Sequence, residues 1–210
     1  NRYGFNNTTD THMMKNSEWG VVAYLSQSKY GKLGNTDFSG VNKEIYQNKS
    51  VYITGCSYGA PSSANGDNGC HYTYDIDING TGASTTGNIY GVYDMSGGSW
   101  EYVMGNYNDI IGEAGFTSMP ETKYYNKYIT NDVNTACNEG RCLSQGLSET
   151  VGWYNDARTF TNENSSWLMR GGLFGDTDLI LDAGIFNFYP STRLGNGSLS
   201  FSFRLVATIR

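Results

Sequence analysis

Two adjacent glycines, Gly97 and Gly98, separate the apolar anchors Tyr93 and Met95 from Trp100. Glycine enters left-handed backbone at no steric cost, so the pair permits a tight reversal, and residues 99–103 follow it as a strand whose large side chains seek a core. A chain organised around such a corner folds as short strands joined by ordered loops. Its make-up agrees: 27 Gly, 17 Tyr, only 3 Pro and 16% charged residues suit that architecture and do not suit disorder. One stretch carries a helical period. Ser17 is an expected N-cap, Glu18 places negative charge in the first turn, and Trp19, Val22, Ala23 and Ser26 share a face with Val21 and Leu25 beside it. The helix is expected to end near residues 29–31.

The 210 residues read as a single domain, because no linker interrupts them, and they suffice to bury a substantial core. Residues 1–16 are polar and lead into the helix. Residues 41–79 read as loop-rich, with strand candidates over 50–54 and 71–78 around a turn-forming stretch at 61–69. Residues 106–160 read as a decorated insertion. Strand candidates return at 167–172, 183–186 and 201–207.

A formal net charge of -6 supplies no basic stripe for phosphate backbones, so the expected partners are a protein or glycan ligand, or a small molecule, and not nucleic acid. No apolar run is long enough to span a membrane. The chain opens at Asn1 with neither a signal peptide nor an initiator Met and reads as a mature or trimmed product. Four cysteines allow three pairings; the local ones, Cys56 with Cys70 and Cys137 with Cys142, are favoured, and with the low charge they point to an oxidising exterior. His12 and His71 are the only histidines, too few and too scattered for a zinc set with Cys137 and Cys142.

The last 40 residues, 171–210, contain no Lys, Glu, Gln, Met or Trp, whereas the preceding 170 contain 28 of them. At the upstream frequency about six or seven would be expected. These five types are the ones unreachable from an Asn codon when only its two adenines are replaced, which is the pattern adenine-specific mutagenesis leaves. A run of buried strands would also lack charge, but Asp176, Thr177, Asp178, Asp182, Asn187, Thr192, Arg193 and Asn196 argue against uniform burial.

Three segments in order resemble one family. Residues 90–102, Tyr-Gly-Val-Tyr-Asp-Met-Ser-Gly-Gly-Ser-Trp-Glu-Tyr, resemble a signature of proteins related to formylglycine-generating enzyme. Residues 168–172, Leu-Met-Arg-Gly-Gly, resemble its later Leu-Arg-Gly-Gly, and residues 202–205, Ser-Phe-Arg-Leu, its terminal Gly-Phe-Arg-Leu. The resemblance implies an α+β, C-type-lectin-like fold with short strands, one or two helices and long ordered loops. Within the first motif, Glu101 is read as a partner for a backbone amide or for Arg170 or Arg204 rather than as a catalytic group.

The family's enzyme branch implies a redox-active cysteine pair after the Arg-Gly-Gly motif, and this chain has no Cys beyond Cys142. No catalytic residue is therefore expected, and fold alone assigns none. The alternative is an oxidoreductase relative that uses Cys137 and Cys142, or a structural, pilin-like surface subunit. Calcium-dependent sugar binding is weakly supported. Residues 153–156, Trp-Tyr-Asn-Asp, resemble the lectin Trp-Asn-Asp with an extra residue, and residues 65–68, Asn-Gly-Asp-Asn, offer calcium oxygens or an ordinary Asx turn. No cofactor or metal is assigned; calcium stays open.

A third branch, the variable proteins of diversity-generating retroelements, resembles the chain best: its C-terminal segment is rewritten at adenines on a C-type-lectin-like scaffold. The resemblance implies a non-enzymatic ligand- or receptor-binding domain at a cell surface or virion. Its frame would be residues 170–172, 183–186 and 202–206. The candidate recognition residues are Leu173, Phe174, Asp176, Thr177, Asp178, Leu179 and Leu181, then Asn187, Phe188, Tyr189, Ser191, Thr192, Arg193, Leu194, Asn196 and Ser198. Aromatic, apolar and Arg side chains among them are productive interface anchors. Ile180 and Phe186 are read as core, as are about half of the apolar positions.

Overall fold

The computed structural model of the chain describes residues 8–40, 43–46, 78–138, 141–173 and 183–209. Among these the regular elements are β1 (Thr9–Met13), α1 (Asn16–Ser26), α2 (Ile78–Thr81), β2 (Trp100–Tyr107), β3 (Asn126–Tyr128), α3 (Val133–Ala136), β4 (Trp167–Gly171), β5 (Gly184–Pro190), β6 (Phe201–Phe203) and β7 (Leu205–Ile209). The class is α+β, with few helices and a curled sheet. Cys56, Cys70, the strand expected over 50–54, nearly all of that over 71–78 and the Asn-Gly-Asp-Asn stretch lie outside the described residues.

β2 is the hub of the sheet. One of its edges pairs antiparallel with β4, which pairs antiparallel with β5. The other edge is shared: β6 runs parallel beside residues 100–102 and β3 parallel beside residues 105–107. The chain at Met14 and Lys15 fills the space between them, with Met104 N–H donating to Met14 O at 2.9 Å. β1 pairs antiparallel with β7, Thr9 opposite Ile209 and Met13 opposite Leu205.

The helix begins earlier than expected. Lys15 rather than Ser17 is the N-cap, because the Glu18 carboxylate reaches back to accept from Lys15 N–H at 2.8 Å. It also ends at Ser26, short of residues 29–31. Trp19 and Ala23 are buried, whereas Val21 and Leu25 face outward. Gly20 is needed for contact: a Cβ there would lie 2.1 Å from Ser144 O. Asn16, also buried, donates to Tyr128 Oη at 3.0 Å and to Gln145 Oε1 at 3.2 Å, which gives its amide N–H groups partners inside the core.

Trp19, Met95, Val103, Leu147, Leu168, Ile185, Phe186 and Phe188 form the centre of the main core, and Met104, Tyr125 and Trp167 a smaller one. Residues 106–160 enter both. They supply β3, and they contribute Tyr128, Cys142, Leu147 and Phe160 to the main core. Cys137 and Cys142 are joined as a disulfide.

The three motif segments converge. Gly97 and Gly98 have φ values of 78° and 77°, the left-handed reversal their sequence predicts, and Gly97 N–H donates to Gly171 O at 2.8 Å. Glu101 lies opposite Arg170 on β4 and opposite Ser202 on β6. Met95 and Trp100 are buried, while Tyr93 is only partly so and hydrogen-bonds to Asn88 O.

Candidate ligand-binding surface

β5 runs further than its sequence predicts. Residues 183–186 were expected as a frame strand with a loop from 187, but pairing with β4 continues, Arg170 opposite Phe188, Met169 opposite Tyr189 and Leu168 opposite Pro190. Three residues in the expected recognition set are consequently interior: Asn187 and Ser191 are 0% exposed and Phe188 is 1% exposed. Phe188 packs edge-on against Phe160 and under the Arg170 guanidinium. Each is held by strand pairing or packing that the alternation Phe-Asn-Phe-Tyr did not separate from a loop. Tyr189, on the opposite face, is 37% exposed and lies beside the Trp100 ring at 5.8 Å between centroids.

Asp156 fixes the start of β5. Its carboxylate accepts from Phe186 N–H at 2.9 Å, and a Cβ on Gly184 would sit 2.1 Å from Asp156 Oδ1. Burial pushes its pKa up to about 6, partly offset by the Phe186 amide and by Arg158. The stretch read as a lectin-like calcium motif thus positions backbone. Among the described residues no group of three or more His, Cys, Asp or Glu side chains is placed to hold a metal ion.

The loop after β5 is tied down from below. Ser191 N–H donates to Trp167 O at 2.7 Å, Ser191 Oγ meets Tyr102 Oη at 2.5 Å, and Tyr102 Oη also reaches Asn196 O at 3.1 Å. Glu113 N–H donates to Leu194 O at 2.8 Å, and its carboxylate accepts from Asn196 Nδ2 at 3.1 Å. Gly195, at φ 90°, sits where a Cβ would meet the Trp167 ring at 2.7 Å. These bonds hold the backbone and leave side chains outward. Thr192, Arg193 and Asn196 are exposed; Leu194, Ser198 and, just after β4, Leu173 are half-buried. Phe174, Asp176, Thr177, Asp178, Leu179 and Leu181 lie outside the described residues.

Sequence reasoning missed the supports. Tyr102, Glu113 and Trp167 bind the loop from elements distant in sequence, and no local period announces such contacts. It also missed Leu199, which is wholly exposed, and a groove of about 340 Å³ beside the loop. The groove is walled by Met13, Tyr102, Met104, Phe116, Trp167 and Phe203, and bordered by Gly195 and Gly197.

Beneath the surface, Glu101 has the partner its sequence context predicts. Arg204 Nη2 donates to Glu101 Oε1 at 2.5 Å and also to Asp94 O. Burial nevertheless pushes the Glu101 carboxyl up to about 7, the opposing pull of Arg204 being smaller. Arg170, the other candidate partner, instead donates to Gly146 O at 3.2 Å and lies between the Trp19 and Phe188 rings. His12 pairs with Glu18 at 2.9 Å.

The chain matches no family model, no curated protein and no solved structure. Among the described residues, no helix is long and apolar enough to cross a membrane.

Proposed function

We propose that this chain is a non-enzymatic ligand- or receptor-binding domain of C-type-lectin-like fold whose C-terminal segment is a diversified recognition surface. The observation that carries the reading is the absence of Lys, Glu, Gln, Met and Trp from residues 171–210, the signature of adenine-directed rewriting. The geometry supports it. Tyr189 projects from the end of β5, and Thr192, Arg193 and Asn196 from the loop after it, whose backbone is held by Tyr102, Trp167 and Glu113, an arrangement in which side chains change while the frame stays. The convergence of the three motif segments on Gly97, Arg170 and Arg204 supports the fold.

Recognition rests on complementarity of the exposed side chains to a protein or glycan at an extracellular, cell or virion surface. Aromatic Tyr189 and the guanidinium of Arg193 serve as anchors. The oxidoreductase alternative needs a thiolate from Cys137 or Cys142, and these are bridged, with Cys142 buried. The surrounding DNA tests the reading. A near-identical repeat differing from the coding segment at adenines, beside a reverse transcriptase gene, is expected; a locus without either removes the diversification.

A further inference from the structure

Asn196 and Gly197 form one of four Asn-Gly pairs in the chain, the others being at 65–66, 68–69 and 79–80. Such a pair is the least hindered setting for one piece of backbone chemistry. The nitrogen that follows an asparagine can attack the carbon of that asparagine's own side-chain amide, and glycine puts no side chain in the way. The pairs at 65–66 and 68–69 lie outside the described residues, and Asn79-Gly80 is in α2, whose helical backbone commits each amide N–H to the axis direction. Only the pair after β5 stands, among the described residues, in an open loop.

There the reacting groups are already together. Gly197 N–H donates to Asn196 Oδ1 at 2.8 Å, so the side-chain carbonyl is folded back onto the nitrogen that would attack it. Tyr102 Oη donates to Asn196 O at 3.1 Å. That oxygen shares the negative charge that appears when the Gly197 amide gives up its proton, and a donor aimed at it stabilises the charge as an oxyanion hole does. Glu113 Oε2 accepts from Asn196 Nδ2 at 3.1 Å, which fixes the rotation of the side-chain amide with its oxygen toward Gly197 and its nitrogen toward Glu113. Both residues of the pair are exposed, and a Cβ on Gly197 would meet nothing, so water reaches the site and no packing opposes ring closure.

We propose that Asn196 and Gly197 form a self-modifying site, at which the loop closes a succinimide ring and reopens it as aspartate or isoaspartate. The lone pair of the Gly197 nitrogen forms the bond to Asn196 Cγ, the bond from Cγ to Nδ2 breaks, and Nδ2 leaves as ammonia with the proton that Gly197 gives up. Water then adds to one of the two ring carbonyls. Cleavage of the new bond to Cγ leaves aspartate; cleavage of the bond to the main-chain carbonyl carbon leaves isoaspartate, whose backbone runs through Cγ. Nothing is oxidised or reduced. Either product replaces the donor that Glu113 holds with a carboxylate, so a like charge faces Glu113 and that tie on the loop is lost. Isoaspartate also displaces the carbonyl that Tyr102 clamps. The change runs in one direction, since the ammonia departs. The chemistry stands on local geometry; only its effect on recognition rests on the function proposed above.

The test incubates the folded chain in mildly alkaline buffer beside a synthetic peptide of residues 191–200, and maps the products by mass spectrometry with electron-transfer fragmentation. Aspartate and isoaspartate at position 196 are expected about tenfold faster in the chain than in the peptide, because the attacking nitrogen is held in place. Gly197→Ala, which the open space around Gly197 accommodates, should slow the conversion about tenfold by crowding that nitrogen. In the aged chain the amide resonances of residues 191–197 should shift. The comparison with the peptide needs no variant and stands alone should Gly197→Ala not fold. Three results overturn the proposal: no product at 196 while the peptide converts, equal rates in chain and peptide, or a Gly197→Ala rate equal to the parent's. The mapping reads covalent change alone, so it is independent of whether the loop binds a ligand.

Discussion

The Tyr102 hydroxyl meets Ser191 Oγ at 2.5 Å and in the same place reaches the carbonyl of Asn196, so one phenol on the central strand clamps both ends of the exposed loop. Tyr102→Phe removes both bonds and leaves the buried Ser191 hydroxyl without this partner. A loss of about 1–2 kcal/mol is expected, with faster amide exchange confined to residues 191–197. Denaturant unfolding and hydrogen exchange check both effects. Uniform exchange with unchanged stability would mean that the clamp is not holding the loop.

Arg204 and Glu101 lock the last strand to the first motif. Arg204→Met strands a buried carboxyl, and a loss of about 3–5 kcal/mol is expected; the double variant with Glu101→Leu should recover most of it. A double-mutant cycle by urea unfolding reads the coupling. Additive losses would show that the pair acts as two separate groups.

The pH dependence of stability follows from three buried groups. Glu101 and Asp156 have folded-state pKa values raised to about 7 and about 6 from ordinary values of 4.5 and 3.8. The folded chain therefore holds more protons than the unfolded one between those limits, and stability falls as pH rises from about 4 to 7. Lys32 acts in the opposite sense at higher pH. Its ammonium donates to Glu44 O beside the Phe38 and Tyr46 rings, and burial pushes its pKa down to about 7 from 10.5. Stability lost as pH falls toward 7 from the alkaline side is regained as Lys32 deprotonates, so a shallow minimum near pH 7 is expected, with each group contributing on the order of 1–3 kcal/mol. Thermal midpoints across pH 4–9 reveal it. In the Glu101→Gln, Asp156→Asn double variant the acid limb should flatten.

Gly184 tests the strand that carries Tyr189. A methyl group there collides with the Asp156 carboxylate, which already bonds the next turn of backbone. Gly184→Ala should destabilise by about 3 kcal/mol and Asp156→Ala should relieve part of that loss, as measured by thermal unfolding of both and their combination. Independent effects would place the strand start elsewhere.

Legibility followed physical range. Gly97, Gly98, Met95, Trp100 and the buried face of Trp19 and Ala23 were readable because their local geometry and size decide their place. The partner of Glu101 was readable as one of two arginines; only the parallel pairing of β2 with β6 selects Arg204 over Arg170. The burial of Asn187 and Ser191 was not readable. Each is a small polar residue whose position depends on the long pairing of β5 with β4 and on the Trp167 carbonyl. β1 was hidden for the same reason, since Thr-Asp-Thr-His-Met becomes a strand through β7, nearly the whole chain away. The N-cap was misplaced because a carboxylate at Glu18 outcompeted the hydroxyl at Ser17 for the first free amides.

The separation of frame from recognising side chains is tested most directly by a library randomised at Tyr189, Thr192, Arg193, Leu194, Asn196 and Ser198, displayed and selected on a folded protein target chosen in advance. Thermal midpoints and dissociation constants would be measured for the recovered and the unselected members. The expected result is cooperative unfolding within a few degrees of the parent throughout, since surface changes stay within about 0.5 kcal/mol, together with binders at least about tenfold tighter than the parent. Loss of cooperative unfolding in most members, at the level produced by substituting the buried Phe188, would contradict it.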